Sequence, residues 1–286
     1  MEIVIGGNPK GQTVFLLAGY PDSSSVFEEN ITRELQDRYR IVGLTIPWTA
    51  ARQRWFGYTM DQLISMLHAA VAAGMADDTS KRRPLLVVHD WGCVIAFEYL
   101  FREPFAFERI AALDVGGHVA GDQHDSNRFN LAGRLIGQHA AAPLKKSLLL
   151  LLYQCWIMVA YLLPAIVGGL MVQGLARASG RPTYPRSVPP QSHMGWIYVQ
   201  LWWLLLLRHP LITHSRFVPV HVPTLYIYGD NKPFQFHSCR WVQHITEKGR
   251  HDGRSKVLAV QGGHWFFATD PCRQITCDEI KSFFSS

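Results

Sequence analysis

Charge is scarce in this chain. Asp, Glu, Lys and Arg make up only 17% of its 286 residues, against 48% hydrophobic. That balance excludes a disordered or collagen-like chain and indicates a globular one with a large core. The length suits one large domain, or one domain carrying an inserted subdomain. The basic excess of +6 is scattered, with tight runs only at Lys81-Arg82-Arg83 and Lys145-Lys146. A nucleic-acid footprint would need a basic stripe with interleaved aromatics. No nucleic-acid partner is therefore expected, and a solvated or membrane-facing basic surface accounts better for the charge. Cysteine is sparse too. Cys93, Cys155, Cys239, Cys272 and Cys277 are odd in number and show no CxxC spacing, so neither a disulfide framework nor a zinc site is indicated. Met1 to Gly7 lacks the basic start and apolar run of a signal peptide. The expectation is an intracellular protein, cytoplasmic or held at the surface of a membrane such as the endoplasmic reticulum, and not a secreted one. Internal repeats and low-complexity linkers are absent as well.

What is present is a strand–helix rhythm. Apolar runs at Thr13–Ala18, Arg40–Ile46, Leu85–Val88, Ile110–Val115, Val222–Gly229 and 256–260 predict strands. Between them, helices are predicted from Ser24 or Ser25 (as cap) to Tyr39, from Thr59 onward, over Trp91–Arg102, over 236–248 and over 271–284. Met60, Leu63, Ile64, Leu67 and Val71 recur at helical spacing, so one face of their helix packs on a sheet. Leu85–Val88 is continuously apolar, as a central parallel strand buried on both faces should be. The rhythm stops from 118 to 215, a stretch rich in Leu, Trp and Tyr with no convincing strand. The predicted class is α/β, a mostly parallel sheet flanked by helices. Its core is built from 1–117 and 216–286, and an all-helical cap, 118–215, is inserted.

Ligands of open parallel sheets sit beyond the carboxyl ends of the strands, and four such ends here carry suggestive groups. His89-Asp90-Trp91-Gly92 lies between the buried strand and its helix, where a sharp turn would expose Asp90 at a helix N-terminus. Asp90 could also be a plain N-cap. Gly262-Gly263-His264-Trp265 follows the last strand. Leu17-Ala18-Gly19-Tyr20-Pro21 follows the first predicted one, and its Tyr20 N–H could join that of Trp91 to hold an anion. Taken in chain order, Gly19-Tyr20-Pro21, then His89-Asp90-Trp91-Gly92, then Gly262-Gly263-His264-Trp265, the segments resemble the α/β-hydrolase superfamily, and in particular its epoxide hydrolase and haloalkane dehalogenase branch. The resemblance covers about 12–117 and 220–284. It implies the α/β-hydrolase fold, with Asp90 as nucleophile and His264 as the base that activates water to hydrolyse an aspartyl ester. That chemistry is complete with side chains and water, so no metal and no cofactor is expected. Three positions depart from the family pattern. Val88 stands where a small residue is usual, Ala18 replaces a histidine, and Lys232 occupies the common place of the acid that orients the histidine. Asp114 and Asp230 are both open as substitutes, with Asp114 favoured.

The resemblance further implies two cap tyrosines that protonate an epoxide oxygen. Tyr153 and Tyr198 match their motifs, with Tyr161 and Tyr184 as competitors and simple packing as the plainer role. Ser147 to Val172 carries no formal charge and is long enough to suggest a membrane span. A crossing there would put His264 and Asp90 on opposite sides of the bilayer, and Pro164 and Gly168-Gly169 interrupt the run. Cap helices that touch one leaflet, together with Trp202 to Leu207, fit better. The expected reaction is hydrolysis of an epoxide on a small hydrophobic substrate, with peripheral membrane contact through the cap. A second reading has Asp90 displace a halide or act on another ester-like substrate. A third, motivated by the three departures, is a catalytically weak relative that binds a lipid or a partner.

Overall fold

The computed structural model describes residues 1–48, 56–117, 144–184, 188–207, 218–219, 221–233 and 235–286, and for 144–147 the backbone alone. Seven strands form one sheet: β1 (Glu2–Gly7), β2 (Thr13–Leu17), β3 (Arg40–Thr45), β4 (Leu85–His89), β5 (Arg109–Leu113), β6 (Thr224–Gly229) and β7 (Lys256–Val260). Their order is β1-β3-β2-β4-β5-β6-β7. Every pairing is parallel except that of β1 with β3. The helices are α1 (Met60–Met75), α2 (Trp91–Arg102), α3 (Leu144–Leu162), α4 (Ala165–Ala178), α5 (Trp196–Leu206), α6 (Cys239–Asp252) and α7 (Cys272–Ser285).

Alternating side chains of the buried strands feed two separate cores. Phe15, Leu17, Leu86, Val88 and Ala112 point to the face covered by α1, α2 and α6. Val14, Leu16, Leu85, Val87 and Ala111 point to the face covered by α7 and the segment 24–35. Helix starts follow local chemistry. Thr59 caps α1 with a full capping box, its hydroxyl accepting from the Gln62 N–H while Gln62 accepts from the Thr59 N–H. Ser238 caps α6 by accepting from the Trp241 N–H, and Gly253 stops that helix in the left-handed conformation.

Two expectations need correction. The helix predicted from Ser24 or Ser25 to Tyr39 is a succession of single turns: a 3-10 turn Ser24–Phe27, a π turn Glu28–Thr32 and a short α turn Arg33–Leu35. Ser23 holds the cap position without a capping bond. The Asn30 side chain donates to the Val26 carbonyl and accepts from the Ile31 N–H, so it competes with the main-chain ladder for its partners. The strand β1 was not predicted. It is an edge strand whose side chains are exposed on both faces, so it lacks the alternation that marks a half-buried strand.

Between β5 and β6 the described residues are helical, with no strand among them. The charge-free run breaks at Leu163-Pro164 into the hairpin α3–α4, tied across by the Trp156 indole N–H donating to the Met171 carbonyl at 3.2 Å. Gly168 is required there, since a Cβ would lie 2.0 Å from the Ala160 carbonyl oxygen. Among the described residues, no helix is long and apolar enough to cross a membrane. The expected boundaries at 117/118 and 215/216 touch residues outside the described ones.

Candidate active site

Asp90 occupies the turn between the central strand β4 and α2. Its backbone is at φ 53°, ψ −126°, a region that costs a non-glycine residue about 1–3 kcal/mol. Glycines make the turn feasible. A Cβ on Gly92 would lie 2.4 Å from the Leu17 carbonyl oxygen, and one on Gly19 would lie 2.2 Å from the Trp91 nitrogen. Val88, the large residue at a place that is usually small, is wholly buried on the α1–α2 side of the sheet. Asp90 makes no N-cap bond into α2. Its Oδ2 accepts the Tyr20 N–H at 2.7 Å, and the Trp91 backbone N–H lies near enough to draw the carboxyl down. Thus the two predicted anion donors converge on one carboxylate. Burial pushes the Asp90 carboxyl up to about 6, against the opposing pull of His264 and the two N–H groups.

His264 stands beside it, with Nε2 3.6 Å from Asp90 Oδ1. Its other nitrogen, Nδ1, meets Asp114 Oδ2. Asp114 ends β5 in a left-handed conformation, φ 71°, and its side chain is fully buried. Its Oδ1 accepts the Gly229 N–H at 3.2 Å and the Lys232 ammonium. Burial by itself would raise the Asp114 carboxyl, but the charges of Lys232 and His264 prevail and hold it well below the usual carboxylate range. Burial likewise opposes protonation of His264. The charge and hydrogen bond of Asp114 and the charge of Asp90 more than offset that, so His264 is raised. Asp230, the other acid left open, is exposed and accepts from the Gln261 amide at 2.6 Å. It is not brought to His264.

Tyr153 on α3 and Tyr198 on α5 come together, hydroxyl to hydroxyl at 2.8 Å. The Tyr198 ring packs edge-on against Tyr20 and Trp91, with centroids 5.1 and 5.7 Å away, which places the pair over the Asp90 turn. Burial, with added repulsion from the Asp90 charge, raises both phenols well above their ordinary value, so both stay protonated. A cavity of about 330 Å³ opens on His264, Tyr20, Tyr153 and Lys232, walled on one side by Val172 and Leu175 of α4. Tyr161 and Tyr184 do not line it, and Tyr184 instead bonds the Asn30 amide at 3.2 Å. Among the described residues, no three His, Cys, Asp or Glu side chains are grouped to hold a metal.

Three supporting residues went unassigned in the sequence reading. His89 bonds the His264 carbonyl through Nε2 at 3.1 Å and packs its ring 4.5 Å from that of His264, bracing the base loop from below. Lys232 was noticed only as a departure. Asp22 sits in the same motif as Tyr20, and its buried carboxylate takes the Trp265 indole N–H and the Arg181 guanidinium, each at 2.7 Å. Its carbonyl takes the Trp48 indole N–H at 2.8 Å. The sequence signal for Asp22 was its place beside Gly19-Tyr20-Pro21.

No family model matches the chain. Proteins named probable oxidoreductase EphD from Mycobacterium tuberculosis and Mycobacterium bovis are 34% identical over 110 residues, which is 37% of this chain but only 17% of theirs. Likeness to solved structures is far wider. An epoxide hydrolase from Bacillus megaterium matches 100% of this chain and 96% of its own at 17% identity, with a TM-score of 0.64. An α/β hydrolase from Nostoc matches 99% and 93% at 13% identity and 0.65. A bacterial membrane phospholipase A matches 99% and 81% at 18% identity and 0.58. At such identities the likeness concerns the path of the backbone, and what this chain shares with all three is the α/β-hydrolase fold.

Proposed function

We propose that the protein is a hydrolase that opens epoxides on hydrophobic molecules through an ester on Asp90. The observation that carries this reading is the meeting of two unlike sets of groups. A buried carboxylate with a histidine at 3.6 Å faces a pair of neutral tyrosine hydroxyls 2.8 Å apart. A serine-type site has no use for such a pair, whereas an epoxide oxygen needs a proton as its C–O bond breaks.

In this mechanism Asp90 Oδ1 attacks a ring carbon, the C–O bond opens, and Tyr153 or Tyr198 donates a proton to the departing oxygen. The product is a hydroxyalkyl ester of Asp90. His264 Nε2 then takes a proton from water, and the hydroxide adds to the Asp90 carboxyl carbon. The Tyr20 N–H bonds the Asp90 carboxylate already and the Trp91 N–H favours its charged form, so both suit the oxyanion that forms there. Collapse expels the diol oxygen, which recovers a proton from His264, and the proton left on the Asp90 carboxyl returns to the tyrosinate. Asp114 holds His264 through Nδ1 and stabilises the imidazolium, while Lys232 keeps Asp114 ionised. The cavity's apolar wall suits a lipophilic substrate.

Displacement of a halide is the second reading. Asp90 and His264 serve it equally well, but a leaving halide needs no proton, so the tyrosine pair would have no task. Incubating the His264→Gln variant with lipophilic epoxides and haloalkanes, followed by intact-protein mass spectrometry, separates the two. The expected result is a stalled adduct on Asp90 with the full mass of the epoxide. An adduct lacking the halide would favour displacement, and a folded variant that forms neither would sink both.

A further inference from the structure

The insert carries a surface that the chemistry at Asp90 does not use. Most of the large apolar side chains left exposed by the described residues lie between Leu148 and Leu207. From Leu148 to Gly174 every exposed position is Leu, Ile, Val, Trp, Ala, Pro or Gly, with no polar side chain among them. Ile166, Leu170 and Leu162 are 80%, 67% and 65% exposed. Trp203, Leu206 and Leu207 at the end of α5 add to it. Soluble monomers rarely leave so continuous an apolar area open to water.

Charge brackets this face. Lys145-Lys146 begin α3, and the exposed Arg177 ends α4. Because the hairpin folds back at Leu163-Pro164, these basic positions fall toward its open end, away from the apolar turn. An apolar face edged by basic residues and tryptophan is the pattern of an element that lies in a membrane interface, with cations among anionic headgroups. The other flank of the same helix lines the cavity, through Val172, Leu175 and Ala176. One helix thickness therefore separates the bare face from the cavity that holds His264. A second copy of the chain could also cover an apolar face, but it would offer the exposed Arg177 no excess of negative charge, since the chain is itself net positive.

We propose that the outer face of α3–α4, with the end of α5, docks onto one leaflet of an anionic lipid bilayer, and that lipophilic substrate passes from the leaflet along α4 into the cavity. The docking stands by itself, and the delivery half rests on the epoxide reading. The test is co-sedimentation of the full chain with vesicles of phosphatidylcholine, with and without phosphatidylserine. The wild type should pellet with the anionic vesicles and much less with the neutral ones. The double variant Ile166→Glu, Leu170→Glu should lose at least about tenfold in partitioning, since charge is introduced where apolar contact is needed. Its melting temperature and its rate on a short soluble epoxide should be unchanged. A wild type that stays in the supernatant overturns docking. So does one that elutes as a dimer which these substitutions dissociate, since the face then joins copies of the chain. For delivery, a long-chain epoxide dissolved in the vesicles should be hydrolysed by the wild type and at least about tenfold more slowly by the variant. Equal rates overturn delivery. Failure on every epoxide overturns the epoxide reading and delivery with it, and leaves docking to be judged by the pellet alone.

Discussion

On α6 the exposed positions are Arg240, Gln243, Thr246, Glu247, Arg250 and His251, whereas among the described side chains of α3 they are Leu148, Leu149, Leu151, Leu152, Trp156, Val159 and Leu162. Both helices press an apolar stripe inward, α6 through Trp241 and Ile245 and α3 through Leu150 and Ile157. Inward packing therefore does not distinguish core from insert; the medium expected on the outside does. The same division runs through the active site. The core contributes ionisable groups fixed by main-chain and ionic bonds: Asp90, Asp114, His264 and Lys232. The insert contributes neutral hydroxyls on apolar helices. Under the proposed epoxide chemistry, the difference means that charge handling and substrate handling are separate duties, carried by separate parts of the chain.

The sharpest way to break this division is at Asp90. Asp90→Asn should lower turnover by at least about 10³-fold, measured on whichever epoxide gives the His264→Gln adduct. It should also stabilise the fold at high pH. The Asp90 carboxyl rises on folding from an ordinary 3.8 to about 6, so its ionised form opposes folding above pH 6, and that penalty vanishes as pH falls below about 4. Melting temperatures should show the variant ahead of wild type at pH 8, with the gap closing toward pH 4. An unchanged gap would mean that the carboxylate is not the source.

On the insert side, Tyr153→Phe and Tyr198→Phe should each slow formation of the ester by about 10²-fold. Hydrolysis of an ester already formed should be untouched, as single-turnover kinetics would reveal. Equal slowing of both half-reactions would show that the pair only packs.

Smaller effects follow from titration. Ester formation requires ionised Asp90, so its rate should fall as pH drops through about 6. Lys232 opposes protonation of His264. Removing that charge with Lys232→Met should raise the histidine and move the acid limb of ester hydrolysis upward. Nuclear magnetic resonance titration of the His264 ring, without substrate, checks this apart from activity. A limb that moves down would reverse the assigned role.

Much of the α/β scaffold is legible because buried parallel strands are continuous apolar runs and because Gly19, Gly92 and Gly229 mark turns. The glycine at β1 marked nothing useful, since that strand buries no face and is held by its ladder with β3 alone. Asn30 hid the irregularity of 24–35, because a side chain competing for main-chain bonds leaves the apolar spacing intact. At the site, Asp90 and His264 could be named from short motifs that directly follow strands. The preference for Asp114 over Asp230 rests on the resemblance and not on any local pattern. Which acid serves depends on how far the ends of β5 and β6 stand from the loop after β7, a matter of sheet register that no local pattern encodes. Lys232 looked like a loss at the acid's usual place; in space it is the partner of the relocated acid.

Asp22 works as an ionic latch. Its two carboxylate oxygens are shared between Trp265, next to the base, and Arg181, just beyond α4. Swinging the end of α4 away would strand a buried carboxylate with half its partners, a penalty of about several kcal/mol unless water floods in with the motion. Through this one buried carboxylate the segment just after α4 is tied to the residue beside His264, so a displacement at one end would be felt at the other.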